Sequence, residues 1–168
     1  MKIGIYGGSF NPIHFGHIGL AQWVIKNTDL DEIWLMVSPN NPLKDQSILA
    51  DEQVRLQKAK EAILPGLAIV ASDFEFRLPR PNYTANTLKE LQKAYPEHQF
   101  TLIIGEDNLS IFHKWKDYLY ILENYRIFVY PRHGCKDYKI PNAKDLTLLK
   151  EAPYFDISST ELRKNLHN

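Results

Sequence analysis

Five short apolar runs, rich in branched and aromatic residues, alternate along this chain with stretches of helical character. The runs are residues 2–6 (KIGIY), 32–37 (EIWLMV), 67–71 (LAIVA), 99–104 (QFTLII) and 126–130 (RIFVY). Each is of strand length and too continuously apolar for a half-exposed strand, so each reads as a strand buried on both faces. Between them, residues 17–27, 51–64, 84–95 and 107–124 read as helices. Strand–helix alternation predicts an α/β fold with a parallel sheet covered on both faces. Ligands of such open sheets bind beyond the carboxyl ends of the strands. That rule places residues 7–17, 38–46, 72–84, 105–108 and 131–134 along one rim. The 168 residues suit one domain spanning 1–168, with no internal repeat or linker. Two polar segments with proline, 38–50 and 132–145, read as mobile loops.

Twenty basic and twenty acidic residues cancel to zero net charge, so no broad field draws the chain to nucleic acid or a membrane surface. Any anion must be held by local groups. The one cysteine, Cys135, excludes an intrachain disulfide and a multi-cysteine zinc site. No apolar run nears the ~18 residues that span a bilayer, and the first residues lack the pattern of a secretory signal. A cytoplasmic protein is the expectation.

The stretch Gly7-Gly8-Ser9-Phe10-Asn11-Pro12-Ile13-His14-Phe15-Gly16-His17 carries the first chemical signal. Glycines after a strand let backbone N–H groups approach a phosphate, and a following helix N-terminus adds partial positive charge. The Walker and dinucleotide-binding glycine patterns are both missing, so the pair also reads as an ordinary tight turn. His14 and His17 lack the third ligand and the glutamate of an H-E-x-x-H zinc site. Pro12 puts His14 in the turn and makes His17 the opening residue of a helix that can donate to an anion. Near the C-terminus, Ser158-Ser159-Thr160-Glu161 fits a capping box, with Ser158 as N-cap and Glu161 at its third position. Its hydroxyls and Arg163 are equally suited to phosphate oxygens.

Together, GGSFNPIHFGH and ISSTELRK resemble the nucleotidyltransferase superfamily with an H-x-G-H element and a C-terminal serine- and threonine-rich ATP motif. Between them, PRPNYTANTLKEL, IGEDNLSIFHKW and YRIFVYPRHG resemble the bacterial nicotinate-mononucleotide adenylyltransferases. The resemblance covers nearly the whole chain in order. It implies a Rossmann-like three-layer α/β/α fold of nucleotidyltransferase type. It also implies transfer of AMP from ATP to nicotinate mononucleotide, with Mg²⁺ carried by ATP and no protein metal site. By that resemblance His14, His17 and Arg163 are catalytic. Gly7, Gly8, Ser9 and Phe10, with Gly105, Asp107, Ile157, Ser158, Ser159 and Thr160, join them in binding ATP. Ser9, Phe10, Lys44, Tyr83, Thr84, Asn108 and Trp115 serve the mononucleotide, Trp115 as a stacking surface for its cationic ring.

Departures from the family pattern are local. Ser9 and Asn11 stand where many members have threonine and aspartate, and NPLK stands where a P-P-H-K form is common. The chain is short for the family, which implies trimming near residues 132–155. A pantetheine-phosphate adenylyltransferase shares the ATP half, but there the first histidine is typically a threonine, which His14 argues against. A cytidylyltransferase and a noncatalytic nucleotide sensor remain alternatives on sequence, as does a homo-oligomer.

Overall fold

In the computed structural model, which describes residues 1–39, 51–132 and 143–153, the first apolar run becomes β1 (Lys2–Gly8). In chain order follow α1 (Phe15–Asn27), β2 (Glu32–Val37), α2 (Glu52–Ala62), β3 (Ile69–Ser72), α3 (Thr84–Ala94), β4 (Gln99–Gly105), α4 (Tyr118–Asn124), β5 (Arg126–Tyr130) and β6 (Leu146–Leu148). The strands form one sheet in the order β3-β2-β1-β4-β5-β6. Every pair in it is parallel.

The order has a consequence for where the helices lie. From β1 the chain builds outward through β2 to β3, then returns past β1 and builds the other way through β4 and β5. Because parallel crossovers keep one hand, this reversal sends α1 and α2 to one face and α3 and α4 to the other. The two cores confirm it. Leu20, Val24 and Leu56 pack with Ile33, Leu35, Ile103 and Phe128. Leu88, Leu91 and Ile121 pack with Ile3, Ile5, Leu102 and Ile127 on the opposite side. Neighbouring residues of one strand therefore enter different layers, which is why the runs read as continuously apolar. The result is the expected three-layer α/β/α, Rossmann-like arrangement.

Several expected boundaries move. β1 runs two residues beyond 2–6, so Gly7 and Gly8 are strand residues opposite Met36 and Val37 rather than loop. α1 starts at Phe15, with His14 as its N-cap, and His17 lies a turn inside it rather than opening it. At α3 the start at Thr84 is as expected, with Tyr83 as its cap. The helix expected over 107–124 is broken into short turns at Glu106–Asn108 and Phe112–Lys114 and a short α4. Asn108 Nδ2 donates to the Gly105 carbonyl and Ser110 Oγ to that of Asp107, so local side chains compete with the helical ladder. Asp117 then enters α4 at φ 55, a left-handed conformation no helix interior accepts. β6 went unforeseen, being three residues within the segment expected to be trimmed. Residues 40–50 and 133–142 of the two expected loops lie outside the described residues.

Gly4, at the centre of β1, shows how tightly the central strands and the connection before β2 pack. A Cβ there would stand 2.6 Å from Ile33 Cδ1, 2.7 Å from Ile103 Cδ1 and 2.8 Å from Leu30 Cδ1. Gly4→Ala is expected to lower stability by about 1–3 kcal/mol through overpacking. In urea unfolding it should shift the midpoint at unchanged slope; an unshifted midpoint would show that the three side-chain ends make room freely.

Candidate active site

A cavity of about 350 Å³ opens where the strand order reverses, beyond the carboxyl ends of β1 and β4. Gly7 and Gly8 from β1, Ser38 and Pro39 after β2, Thr84 and Thr87 from α3, Gly105 at the end of β4, and Asn108 and Trp115 after it line the cavity. Of the residues singled out in the sequence, Gly7, Gly8, Thr84, Gly105, Asn108 and Trp115 are thus brought to one space. Gly105 is needed there for room: a Cβ would stand 2.5 Å from Asp107 Oδ1 and 3.0 Å from the Tyr130 ring.

His14 and His17 are not in the cavity lining; they stand at the start of α1, with the His17 ring edge-on to the lining Tyr6 at 6.1 Å between centroids, and they hold each other in place. The Gly16 N–H donates to His14 Nδ1 at 3.1 Å, and the His14 N–H donates to His17 Nδ1 at 3.1 Å. This is a reciprocal capping box built from two imidazoles rather than from serine and glutamate. Both Nδ1 atoms are acceptors, so each neutral ring carries its proton on Nε2. The rings stack with centroids 3.7 Å apart. Burial, then the neighbouring His14, then Arg132 hold the His17 pKa down to about 3. Burial and then Arg132 also lower that of His14. Near neutral pH the pair is two uncharged Nε2–H donors at a helix N-terminus, where partial positive charge adds to their pull on an anion.

The turn that delivers His14 is tight. Phe10 has φ 48 and Asn11–Pro12 is cis. The Phe10 ring is in the core rather than in the cavity, edge-on to Tyr6 at 5.7 Å and to His17 at 4.9 Å. Only its backbone remains for a ligand, whereas Ser9 beside it is half-buried. Tyr6 and Tyr130 form the floor beside them with ring centroids 5.7 Å apart. Burial and their mutual contact push the Tyr6 phenol well above its ordinary range, so it stays protonated.

Arg132, directly after β5, approaches Asp107 with Nε 3.9 Å from Oδ1. It also lies close enough to depress both histidines. Arg132 lies within the YRIFVYPRHG segment but is not among the site residues expected from the sequence; an arginine just past a parallel strand on the ligand rim is the signal that marks it. Glu75 was missed as well. It is buried on the cavity wall, and Thr87 Oγ1 donates to its Oε2 at 2.6 Å. Thr84 and Trp115 share that wall, Trp115 backed by Phe112 at 4.8 Å between centroids. Tyr83 is 40% exposed and carries Lys116 Nζ 4.7 Å above its ring, outside the cavity lining. Lys44, Ile157, Ser158, Ser159, Thr160 and Arg163 lie outside the described residues.

Comparison with known proteins places this arrangement. The family described as cytidylyltransferase-like matches residues 5–165. A Flavobacterium psychrophilum protein named "Probable nicotinate-nucleotide adenylyltransferase" is 46% identical over 170 residues, taking in 100% of this chain and 88% of its own length. A Bacteroides fragilis protein of the same name is 45% identical over 168 residues, 98% of this chain and 82% of its own. Among solved structures, the Plasmodium falciparum nicotinic acid mononucleotide adenylyltransferase complexed with NaAD matches with a TM-score of 0.80. That match covers 97% of this chain and 82% of the other at 20% identity, a likeness of fold.

The imidazole cap makes a pH prediction. An unfolded histidine titrates near about 6.5, whereas His17 in the fold stays neutral to about pH 3. As pH falls below 6.5 the unfolded chain takes up a proton that the fold refuses. His17's contribution is therefore complete above pH 6.5 and lost progressively toward pH 3. Between pH 7 and pH 5 the stability gap between the wild type and His17→Gln should narrow by about 2 kcal/mol. Denaturant titrations at the two pH values check this, and a constant gap would contradict the neutral, cap-held ring.

Proposed function

This chain belongs to the nicotinate-nucleotide adenylyltransferase family, and we propose that it transfers AMP from ATP to the 5′-phosphate of nicotinate mononucleotide. The products are nicotinate adenine dinucleotide and pyrophosphate, in a step of NAD biosynthesis. The observation that carries the reading to chemistry is the pair of Nε2–H donors fixed at the start of α1, His17 lying against the cavity residue Tyr6.

A phosphate monoester has its second pKa near about 6, so the acceptor is already a nucleophile at neutral pH and needs no general base. Its oxygen attacks the α-phosphorus of ATP, and the bond to pyrophosphate breaks. The protein's task is positioning and neutralising charge on phosphoryl oxygens. His14 and His17 would donate from Nε2 to those oxygens as charge builds on them. The N–H groups of Ser9 and Phe10 and the N-terminus of α1 would supply further donors. Arg132, Lys44 and the segment Ile157–Arg163 would receive the triphosphate, with Arg163 on the leaving group. Gly105 and Asp107 would face the adenosine, and Asn108 the junction between the two nucleotides.

The cavity itself suits the mononucleotide. Its cationic pyridinium ring would stack on Trp115, and Thr84 would donate to the nicotinate carboxylate. Tyr83, exposed at the entry to α3, would act through its backbone. Mg²⁺ would arrive on the ATP phosphates and supply charge neutralisation there, since it keeps several waters and few protein ligands. Among the described residues no group of three His, Cys, Asp or Glu side chains is placed to hold a metal ion. Among the same residues no helix is long and apolar enough to cross a membrane.

Pyrophosphate release from ATP should be fastest with nicotinate mononucleotide, compared in parallel with nicotinamide mononucleotide and phosphopantetheine. Silence with all three would overturn the enzyme reading, and preference for phosphopantetheine would overturn the acceptor. His17→Ala should lower turnover by about 10²–10³-fold, the scale for losing one donor to a developing phosphoryl charge, while its circular dichroism stays that of the wild type. Near-normal turnover would reduce His17 to a helix cap.

A further inference from the structure

The first turn of α2 contains a cation that the scheme above does not use. Arg55 is 1% exposed, the largest fully buried side chain among the described residues. Burying a guanidinium is unfavourable unless its hydrogen bonds are satisfied. Arg55 Nη1 donates to two main-chain carbonyls, Ser9 O at 2.7 Å and Ser38 O at 2.7 Å. Those oxygens belong to the residues that follow the two neighbouring strands β1 and β2. Ser9 opens the turn ending at His14, and Ser38 lines the cavity. The Ser38 N–H in turn donates to Gly8 O at 2.9 Å, which adds a last rung between the two strands.

From this arrangement we infer that Arg55 is a positioning residue for adenylyl transfer: it fixes the histidine-bearing turn after β1 against the cavity wall after β2. The inference rests on the proposed reaction, in which the first segment handles the phosphates and the second borders the acceptor. One nitrogen shared by both carbonyls sets the distance between them. It also commits two oxygens that would otherwise repel an incoming phosphate. The same helical turn reaches a third part of the rim, because Arg80 donates to Glu52 with both terminal nitrogens, at 2.8 and 2.6 Å. Arg80 precedes the Pro81–Thr84 entry to α3. The first turn of α2 therefore braces three segments around the site.

Small misplacements of bound reactants cost turnover rather than binding. Arg55→Lys keeps the charge on a shorter side chain, and it should lower kcat by about tenfold with both KM values within about threefold. Arg55→Met should lower kcat by up to about 100-fold in the same pattern. Hydrogen exchange on the same proteins should quicken in peptides covering residues 8–14 and 37–39 while β4 and β5 keep wild-type protection. Wild-type kcat and exchange in Arg55→Lys would overturn the inference. So would activity lost together with protection across the whole sheet, which marks a purely structural residue; if Arg55→Met does not fold, Arg55→Lys decides. A wild type silent with every acceptor counts against the proposed reaction instead, and the exchange comparison then still tests whether Arg55 holds the two segments.

Discussion

The reversal of strand order at β1 is the constraint from which the rest of the molecule follows. Building outward to β3 and then back past β1 to β4 divides the helices between two faces. It also leaves the carboxyl ends of β1 and β4 adjacent, with the chain leaving them toward different layers: α1 on one side, the turns before α4 on the other. Among the described residues no crossover covers that point, and the cavity lies there. Gly4 and Gly105 show the same crowding at two heights, one among side chains of β2, β4 and the connection before β2, and one at the rim beside Asp107 and Tyr130.

On that frame the histidines act first as structure. In an ordinary capping box a hydroxyl and a carboxylate satisfy the first N–H groups of the helix. Here the Nδ1 atoms do so, which fixes ring orientation and tautomer in one step and leaves Nε2–H for a ligand. Protonating either ring would set a proton against the backbone donor it accepts from. Donors of this kind are preorganised and need little rearrangement as charge develops, which suits a reaction whose nucleophile comes already ionised.

Much of the frame was legible from the chain. The five apolar runs became strands because a parallel sheet buried on both faces leaves no alternation to obscure them. Residues 107–124 misled, since their apolar spacing is helical while Asn108, Ser110 and Asp117 break the backbone locally, an effect weaker in pattern than periodicity. β6 was too short to carry a signal. At the site, residue types and family pattern marked His14, His17, Gly105, Asn108 and Trp115. Neither marked the direction of the imidazole hydrogen bonds, the burial of Phe10 or the Arg55 contacts, which arise only when segments 17 to 46 residues apart meet. Asn11, the departure hardest to place from sequence, is buried at 6% exposure in the turn before His14.

In the proposed reaction one site, at the β1–β4 opening, would hold the reacting phosphates against Nε2 of both histidines and the pyridine ring in the cavity. A crystal structure with nicotinate adenine dinucleotide tests it most directly. The account predicts phosphate oxygens at about 2.7–3.2 Å from His14 and His17 Nε2, Nδ1 of each still accepting its backbone N–H, and the ring against Trp115. A dinucleotide bound with its phosphates away from both imidazoles, or with the two rings turned out of the cap, would contradict it.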